Sequence, residues 1–266
     1  MKKKTTHIVL IIGSIIMIMP FIYMILLSLM TYQESVSVPP TIIPNHFMFS
    51  NYLEVFRRLD FMTLFINSTI KTVFTTVGVL FISTLAGFAF AKLRFPGKNI
   101  LFMLIIGIML IPGQMFLIPQ FQTMKFLGWI NTLLAVIIPN WVTAYGIFYM
   151  RQFFKTVPDE LIEAAIMDGY NYFSIYWKIA CPLIKPAIIV YAIQTTIGSW
   201  NEFLWPLIVN SDPSKQVLPV GISLLSGQHV VEVPIVMAAS TLVILPMILI
   251  YVFGQKYFKN IDLSMK

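Results

Sequence analysis

A chain of 266 residues that is 58% apolar and only 11% charged lies far below the roughly 25% charged residues of a soluble domain, which excludes a water-soluble globular fold. Its net charge of +7 comes with no basic cluster interleaved with a recognition motif. Nucleic acid is thereby excluded as a partner, and anionic lipid headgroups are the expected counterpart. The only cysteine, Cys181, leaves no internal disulfide or cysteine-based metal site.

A helix that crosses a bilayer needs about 20 mostly apolar residues. Stretches of that kind lie at about residues 7–30, 65–91, 100–121, 132–150, 187–209 and 233–255. They predict an all-α membrane protein with six transmembrane helices, forming one transmembrane domain over residues 1–266. The first run follows Lys2, Lys3 and Lys4; it is too long for a secretory leader and no small-x-small cleavage site ends it, so it reads as a retained span. Residues 31–63 carry Pro39, Pro40 and Pro44, which fix φ and remove donors. They predict an extended strap leading into a short amphipathic helix over 51–59. Asn67-Ser68-Thr69 has the form of a glycosylation acceptor but reads as the polar start of a helix. Lys71 lies about one turn inside the second span and is expected to snorkel outward. Pro112-Gly113 and Pro119 interrupt the third span, Pro139 the fourth, Pro206 the fifth and Pro246 the sixth. Such breaks are tolerated where neighbouring helices or water satisfy the freed carbonyls, and kinked helices often line a cavity.

The longest polar break runs over 151–186. Thr156 is positioned to cap a helix, with Asp159 as a capping-box partner and Pro158 in the first turn. Asp159, Glu160 and Glu163 then sit at the positive end of the helix dipole. Gly169 predicts a left-handed helix end. Asn171 predicts the cap of a second helix that stops before Pro182. Tyr172, Phe173, Tyr176 and Trp177 leave that second helix little polar surface. They fit an interfacial aromatic belt or the anchors of a protein interface; the small face at Ala164 and Ala165 beside the glycine bend favours close approach of a partner.

With six spans both termini share one side, and thirteen Lys and Arg residues fall on that side against four on the other. The positive-inside bias therefore places both termini and the 151–186 break in the cytoplasm. Glu202 is the only acidic residue inside a span. Such residues are functional candidates, and two readings stand side by side: a translocation-path or outer-gate contact with Trp200 and Asn201, or a polar anchor bonded to Asn201 or a neighbouring helix. The three histidines are scattered and read as boundary residues. No phosphate-binding G-x-x-x-x-G-K-[ST] loop, nucleophile elbow, H-E-x-x-H pair or Cys/His cluster occurs, so neither catalysis nor a bound cofactor is expected of this chain.

The run Glu163-Ala164-Ala165, Gly169, Ile179 and Pro182 resembles the E-A-A-x3-G-x9-I-x-L-P loop of permease subunits of bacterial ABC importers, with Cys181 in place of the usual leucine. Residues 118–139, 143–154, 199–209 (SWNEFLWPLIV), 218–227 (LPVGISLLSG) and 255–258 (QKYF) resemble the smaller six-span permease of maltose-type carbohydrate importers. The likeness extends over nearly the whole chain from about Asn51; the tail 259–266 departs from the family's glycine-containing end. The resemblance implies that the helix on the Glu163 side of Gly169, closed by Asp168, is a coupling helix docking on an ATPase subunit. Glu163 would pair with a basic residue there, and Gly169 would set the bend. It further implies a heterodimer with a second homologous permease, two ATPase subunits that bind ATP and Mg, and an extracytoplasmic solute-binding protein in a bacterial inner membrane. A sugar is the implied substrate and glycerol phosphate the alternative within the same machinery. A self-contained secondary transporter would instead need midplane carboxylates or an internal repeat, and a membrane enzyme a buried polar cluster; neither pattern is found.

Overall fold

The computed structural model describes residues 2–227 and 232–264, with the backbone alone at 2–5 and 254–264, and every regular element among them is helical. The side chains of Lys2, Lys3, Lys4, Lys256 and Lys259, all of His229 and Lys266, and the sequence features read at 255–258 and in the tail therefore lie outside the described residues. Helices α1 (Lys2–Ser28), α2 (Ser50–Arg58), α3 (Phe61–Lys92), α4 (Lys98–Met109), α5 (Leu117–Phe126) and α6 (Leu133–Ile137) are followed by α7 (Ala144–Lys155), α8 (Asp159–Met167), α9 (Tyr172–Leu183), α10 (Lys185–Asn201), α11 (Leu204–Val209), α12 (Leu218–Ser226) and α13 (Val233–Ser264).

Three stretches, 6–28, 61–92 and 233–253, are long and apolar enough to cross a membrane unaided. Three bent pairs meet the same test together: α4 with residues 113–126 at 100°, residues 133–141 with α7 at 41°, and α9 with α10 at 82°. The breaks follow from the prolines. Pro112, with φ −57° and ψ 128°, leaves the helical region and turns the chain into a 3-10 turn at Gly113–Phe116. Pro119 falls in the first turn of α5, where its missing N–H is not needed. Pro206 has no N–H for the carbonyl of Glu202 four residues earlier, and Glu202 is where α10 ends, in extended conformation. The fifth span thus stops near 201 and does not run through to 209 as the apolar pattern predicts. Pro246 does not interrupt α13; one lost hydrogen bond leaves the rest of a long helix intact.

The chain divides into two compact units, residues 1–65 with 218–248, and 66–217 with 249–266. In the first unit the strap after α1 is tied by Glu34. Its carboxylate accepts from the backbone and side chain of Thr31 and from the backbone and side-chain amides of Asn45. Donation from the Thr31 and Asn45 backbone, foremost among these contacts, pulls the Glu34 carboxyl down from 4.5 to about 2. A carboxyl held low when folded contributes order above its unfolded pKa and loses it as pH falls through the folded value. A nitroxide at Ile42, in a chain with Cys181→Ser, should therefore gain mobility between pH 4.5 and about 2, and Glu34→Gln should show that mobility at neutral pH.

In the second unit, Phe88 of α3, Met150 and Phe154 of α7, Ile162 and Ala165 of α8, and Ile175 and Tyr176 of α9 share one buried core. Trp141 lies directly over Gly78 of α3, where a Cβ would meet the indole at 2.2 Å, and its Nε1 donates to the Phe74 carbonyl at 3.0 Å. A smaller core joins Met124, Ala135, Val136, Trp205 and Val209, with Trp205 Nε1 donating to the Ala135 carbonyl at 2.9 Å.

Candidate functional site

The polar break folds as a bent knuckle seated on the larger core. Its entry differs from the predicted capping box. Thr156 still has helical backbone angles and closes α7, its Oγ1 donating to the Phe153 carbonyl at 2.7 Å; Pro158 holds the cap position of α8 with no side-chain hydrogen bond. An N-cap residue must be extended, which the still-helical Thr156 is not. The first turn of α8 is fixed by Lys92 at the end of α3, whose Nζ donates to Asp159 Oδ1 and to the Val157 carbonyl. That ammonium, with Arg94 and Lys98 behind it, holds the Asp159 carboxyl below the usual carboxylate range.

Along α8 the apolar side chains are divided. Ile162 and Ala165 are buried, while Glu163, Ala164, Asp168 and Gly169 face outward with Leu161, Ile166 and Met167. Gly169 has φ +83° and nothing lies within 4 Å of where its Cβ would be, so backbone conformation and not space requires glycine there. The Gly169 amide donates to the Ile166 carbonyl and the Tyr170 amide to the Ala165 carbonyl, both at 3.0 Å; this is the pair of bonds that closes a Schellman end.

Asn171 caps α9 as the sequence predicts, accepting from the Ser174 amide at 2.8 Å. The helix does not stop before Pro182. Residues Tyr176–Ala180 form a π-turn, and Pro182 follows it after Cys181. The widened turn relieves the clash that a proline ring makes with the carbonyl four residues earlier. The four aromatics part company: Tyr176 is buried, its hydroxyl 2.7 Å from Thr84 Oγ1, while Tyr172, Phe173 and Trp177 are exposed. Ile179 is half-buried and Pro182 exposed. A cavity of about 500 Å³ beside the knuckle is lined by Lys92, Arg94 and Lys98 on one side and by Asp159, Glu163 and Tyr172 on the other.

At the opposite end of α10, Trp200 is buried, Asn201 is exposed and Glu202 is half-buried, so the three candidate path residues do not share one face. Lys71 does not snorkel. Its side chain is 1% exposed and its Nζ lies 2.7 Å from Glu202 Oε2 and 2.6 Å from the Ser199 carbonyl it donates to. Asn140 Nδ2 approaches the same carboxylate at 3.3 Å. Glu202 is thus bonded to a neighbouring helix, α3, and keeps 26% of its side chain exposed. Burying Lys71 unpaired would be prohibitive, which is why the ammonium turns inward only where a carboxylate awaits it. Asn140 carries no signal in the sequence, and the outward reach expected of Lys71 gives way to this inward pairing. A signal exists in the hydroxyls of Ser68, Thr72, Thr75, Thr76, Ser83 and Thr84, all buried and spaced to give α3 a polar face inside the protein. Asn67 is buried too, donating to the Ser214 and Gln216 carbonyls, so it is a structural tie.

Residues 81–261 match the family model described as "Binding-protein-dependent transport system inner membrane component". The chain is 35% identical over 248 residues to the arabinooligosaccharides transport system permease protein AraQ of Bacillus subtilis, covering 92% of this chain and 88% of that one. It is 29% identical over 260 residues to the sn-glycerol-3-phosphate transport system permease protein UgpE of Yersinia enterocolitica, covering 95% and 92%. Among solved structures it superposes with a TM-score of 0.84 and 26% identity, over 96% of each chain, on a chain of a bacterial ABC transporter involved in the import of the acidic polysaccharide alginate. A helical membrane chain carrying the E-A-A loop and matching these proteins over nearly its full length belongs to the inner-membrane permease family of binding-protein-dependent ABC importers, whose members are the non-catalytic transmembrane part of the machine.

Proposed function

We propose that this permease imports a sugar or oligosaccharide, acting as one transmembrane domain with both termini and the 151–186 knuckle in the cytoplasm. It pairs with a second homologous permease, two ATPase subunits that carry ATP and Mg, and an extracytoplasmic solute-binding protein. ATP-driven closure of the ATPases moves α8, and the broken spans switch the pathway between its two faces. The observation that carries this reading is the build of α8. Ile162 and Ala165 root it in the core shared with α3, α7 and α9, while Glu163, Ala164, Asp168 and Gly169 face outward; Ile179 and Pro182 lie on α9, Ile179 packed against the same core. A push on the exposed side therefore reaches α3 and α7, and through Tyr191 α10, by way of packed side chains, which transmit displacement because interiors are densely packed. The sign of the cytoplasmic side rests on the thirteen-to-four excess of basic residues. The sugar assignment rests on relatives named for arabinooligosaccharides.

Relatives named for sn-glycerol-3-phosphate support a second reading of the cargo. Reconstitution of the complete importer in vesicles separates the two. Oligosaccharide uptake should require ATP and binding protein and should be competed by other oligosaccharides. Competition by sn-glycerol-3-phosphate alone would select the second reading, and uptake by the lone chain without ATP would overturn both.

A further inference from the structure

Helix α2 has three faces, and one of them is unaccounted for by the protein. The face carrying Asn51, Tyr52 and Val55 is fastened to the rest of the unit. Asn51 Nδ2 donates to the carbonyls of Ser28 and Met30, both at 2.9 Å. The Tyr52 hydroxyl is 2.7 Å from Ser28 Oγ, and Val55 is fully buried. A second face is polar: Glu54 bonds Arg57 at 2.7 Å and lies 3.5 Å from Arg58. The third face carries Phe49, Leu53 and Phe56, spaced i, i+4, i+7, and these are 67%, 62% and 50% exposed.

The tethers fix where this third face lies. Ser28 is the last residue of the first span. Only Leu59 and Asp60 separate α2 from the start of α3, and the Phe56 ring meets Phe61 edge-on at 4.9 Å. Arg58 Nη2 pairs with Glu232 at 2.9 Å, and Val233 opens α13. The helix is therefore bound to the same-side ends of three membrane-spanning helices. Just below it, Ile25 of α1 is exposed like the rest of that span's apolar surface. The outward apolar face of α2 thus lies beside a span end whose own apolar Ile25 is exposed. The order of the faces around the helix, apolar then polar then protein, is that of a helix lying in a membrane interface beside a protein wall.

We propose that α2 is an interfacial helix that lies at the headgroup–acyl boundary of the leaflet where α1 ends and α3 begins, with Phe49, Leu53 and Phe56 inserted among the acyl chains. Its Glu54–Arg57 edge stays in water, while Asn51 and Tyr52 hold Ser28 and Met30 and Arg58 holds Glu232. The helix thereby sets the depth of three span ends in the bilayer. The occupant of the exposed face is lipid, and the inference does not depend on the cargo or on the ATPase coupling.

Site-directed spin labelling of the full chain tests this, with Cys181→Ser removing the native thiol and the protein in phosphatidylethanolamine–phosphatidylglycerol vesicles. Nitroxides at Phe49, Leu53 and Phe56 should collide more with oxygen than with a water-soluble nickel chelate, and those at Ser50, Glu54 and Arg57 should show the inverted ratio. All of these positions lie on the outer surface of the helix or at its half-exposed rim, so the labels do not enter the core. Nickel accessibility at Phe49, Leu53 and Phe56 equal to that at Arg57 would overturn the proposal by making the face solvated. Protection of the three from both collision partners would overturn it by showing that a protein covers them.

Discussion

Gly169→Pro should abolish ATP-driven uptake by the reconstituted importer, Gly169→Ala should impair it, and Gly169→Asn should retain most of it. The order follows from the backbone. Gly169 needs φ +83° and has open space around it, so a side chain is penalised for its conformation and not for its bulk. An L-residue in the left-handed region costs roughly 1–2 kcal/mol, and asparagine visits that region most readily. A cost of about 1–2 kcal/mol lowers the population of the correctly bent knuckle by a factor of about 5–30. Proline is worse in kind: its ring holds φ near about −65°, and it has no N–H for the Ile166 carbonyl that Gly169 now serves at 3.0 Å. Co-purification of the ATPase subunits should fall in the same order while membrane insertion is unchanged. Glu163→Lys is the companion variant. Glu163 is exposed, so charge reversal should leave thermal stability alone and weaken only ATPase docking. Normal uptake by Gly169→Pro together with Glu163→Lys would remove the coupling role of this knuckle.

Signals carried by a few neighbouring residues were the legible ones. The positive φ at Gly169 and the Asn171 cap depend on residues two or three positions away, and both appear where the sequence puts them. Apolar runs of span length likewise located six helical regions. Thr156 shows the limit of local reading. Its sequence context suits a cap, but Lys92, 67 residues before Asp159, already holds the first turn of α8, and the chain had no need to leave the α7 helix early. The passage of α9 through Pro182 rests on a π-turn whose Tyr176 is held by Thr84 of α3, again a long-range contact. Lys71 is the strongest case. A lysine one turn inside an apolar run ordinarily reaches for water, and only the fold brings Glu202, 131 positions away, within bonding distance. That pairing also explains why the fifth span ends where it does. The residue whose carbonyl is freed by Pro206 is the one whose side chain anchors the break to α3.

The same pair gives the second large effect expected in this protein, and the two single variants should differ. Glu202→Gln leaves the Lys71 ammonium 1% exposed with a neutral amide and one carbonyl for company. Lys71→Met leaves the Glu202 carboxylate 26% exposed, still beside Asn140 and able to rehydrate. Breaking a buried pair by removing one partner costs about 3–5 kcal/mol because the other charge is stranded. Glu202→Gln should therefore approach that range and Lys71→Met should fall well short of it. The double variant Lys71→Met with Glu202→Gln strands no charge, and since replacing a buried pair by uncharged groups is often near neutral, it should recover much of the loss in the worse single variant. Thermal unfolding of the four proteins in one detergent forms a double-mutant cycle, for which a coupling of about 0.5–3 kcal/mol is expected of contacting residues. Additive shifts would mean that the ion pair contributes nothing that its members do not contribute alone. Glu202→Gln matching wild type would mean that the ammonium is not confined between α3 and the end of α10, and the anchor at the broken fifth span would have to be sought in the Trp205 packing instead.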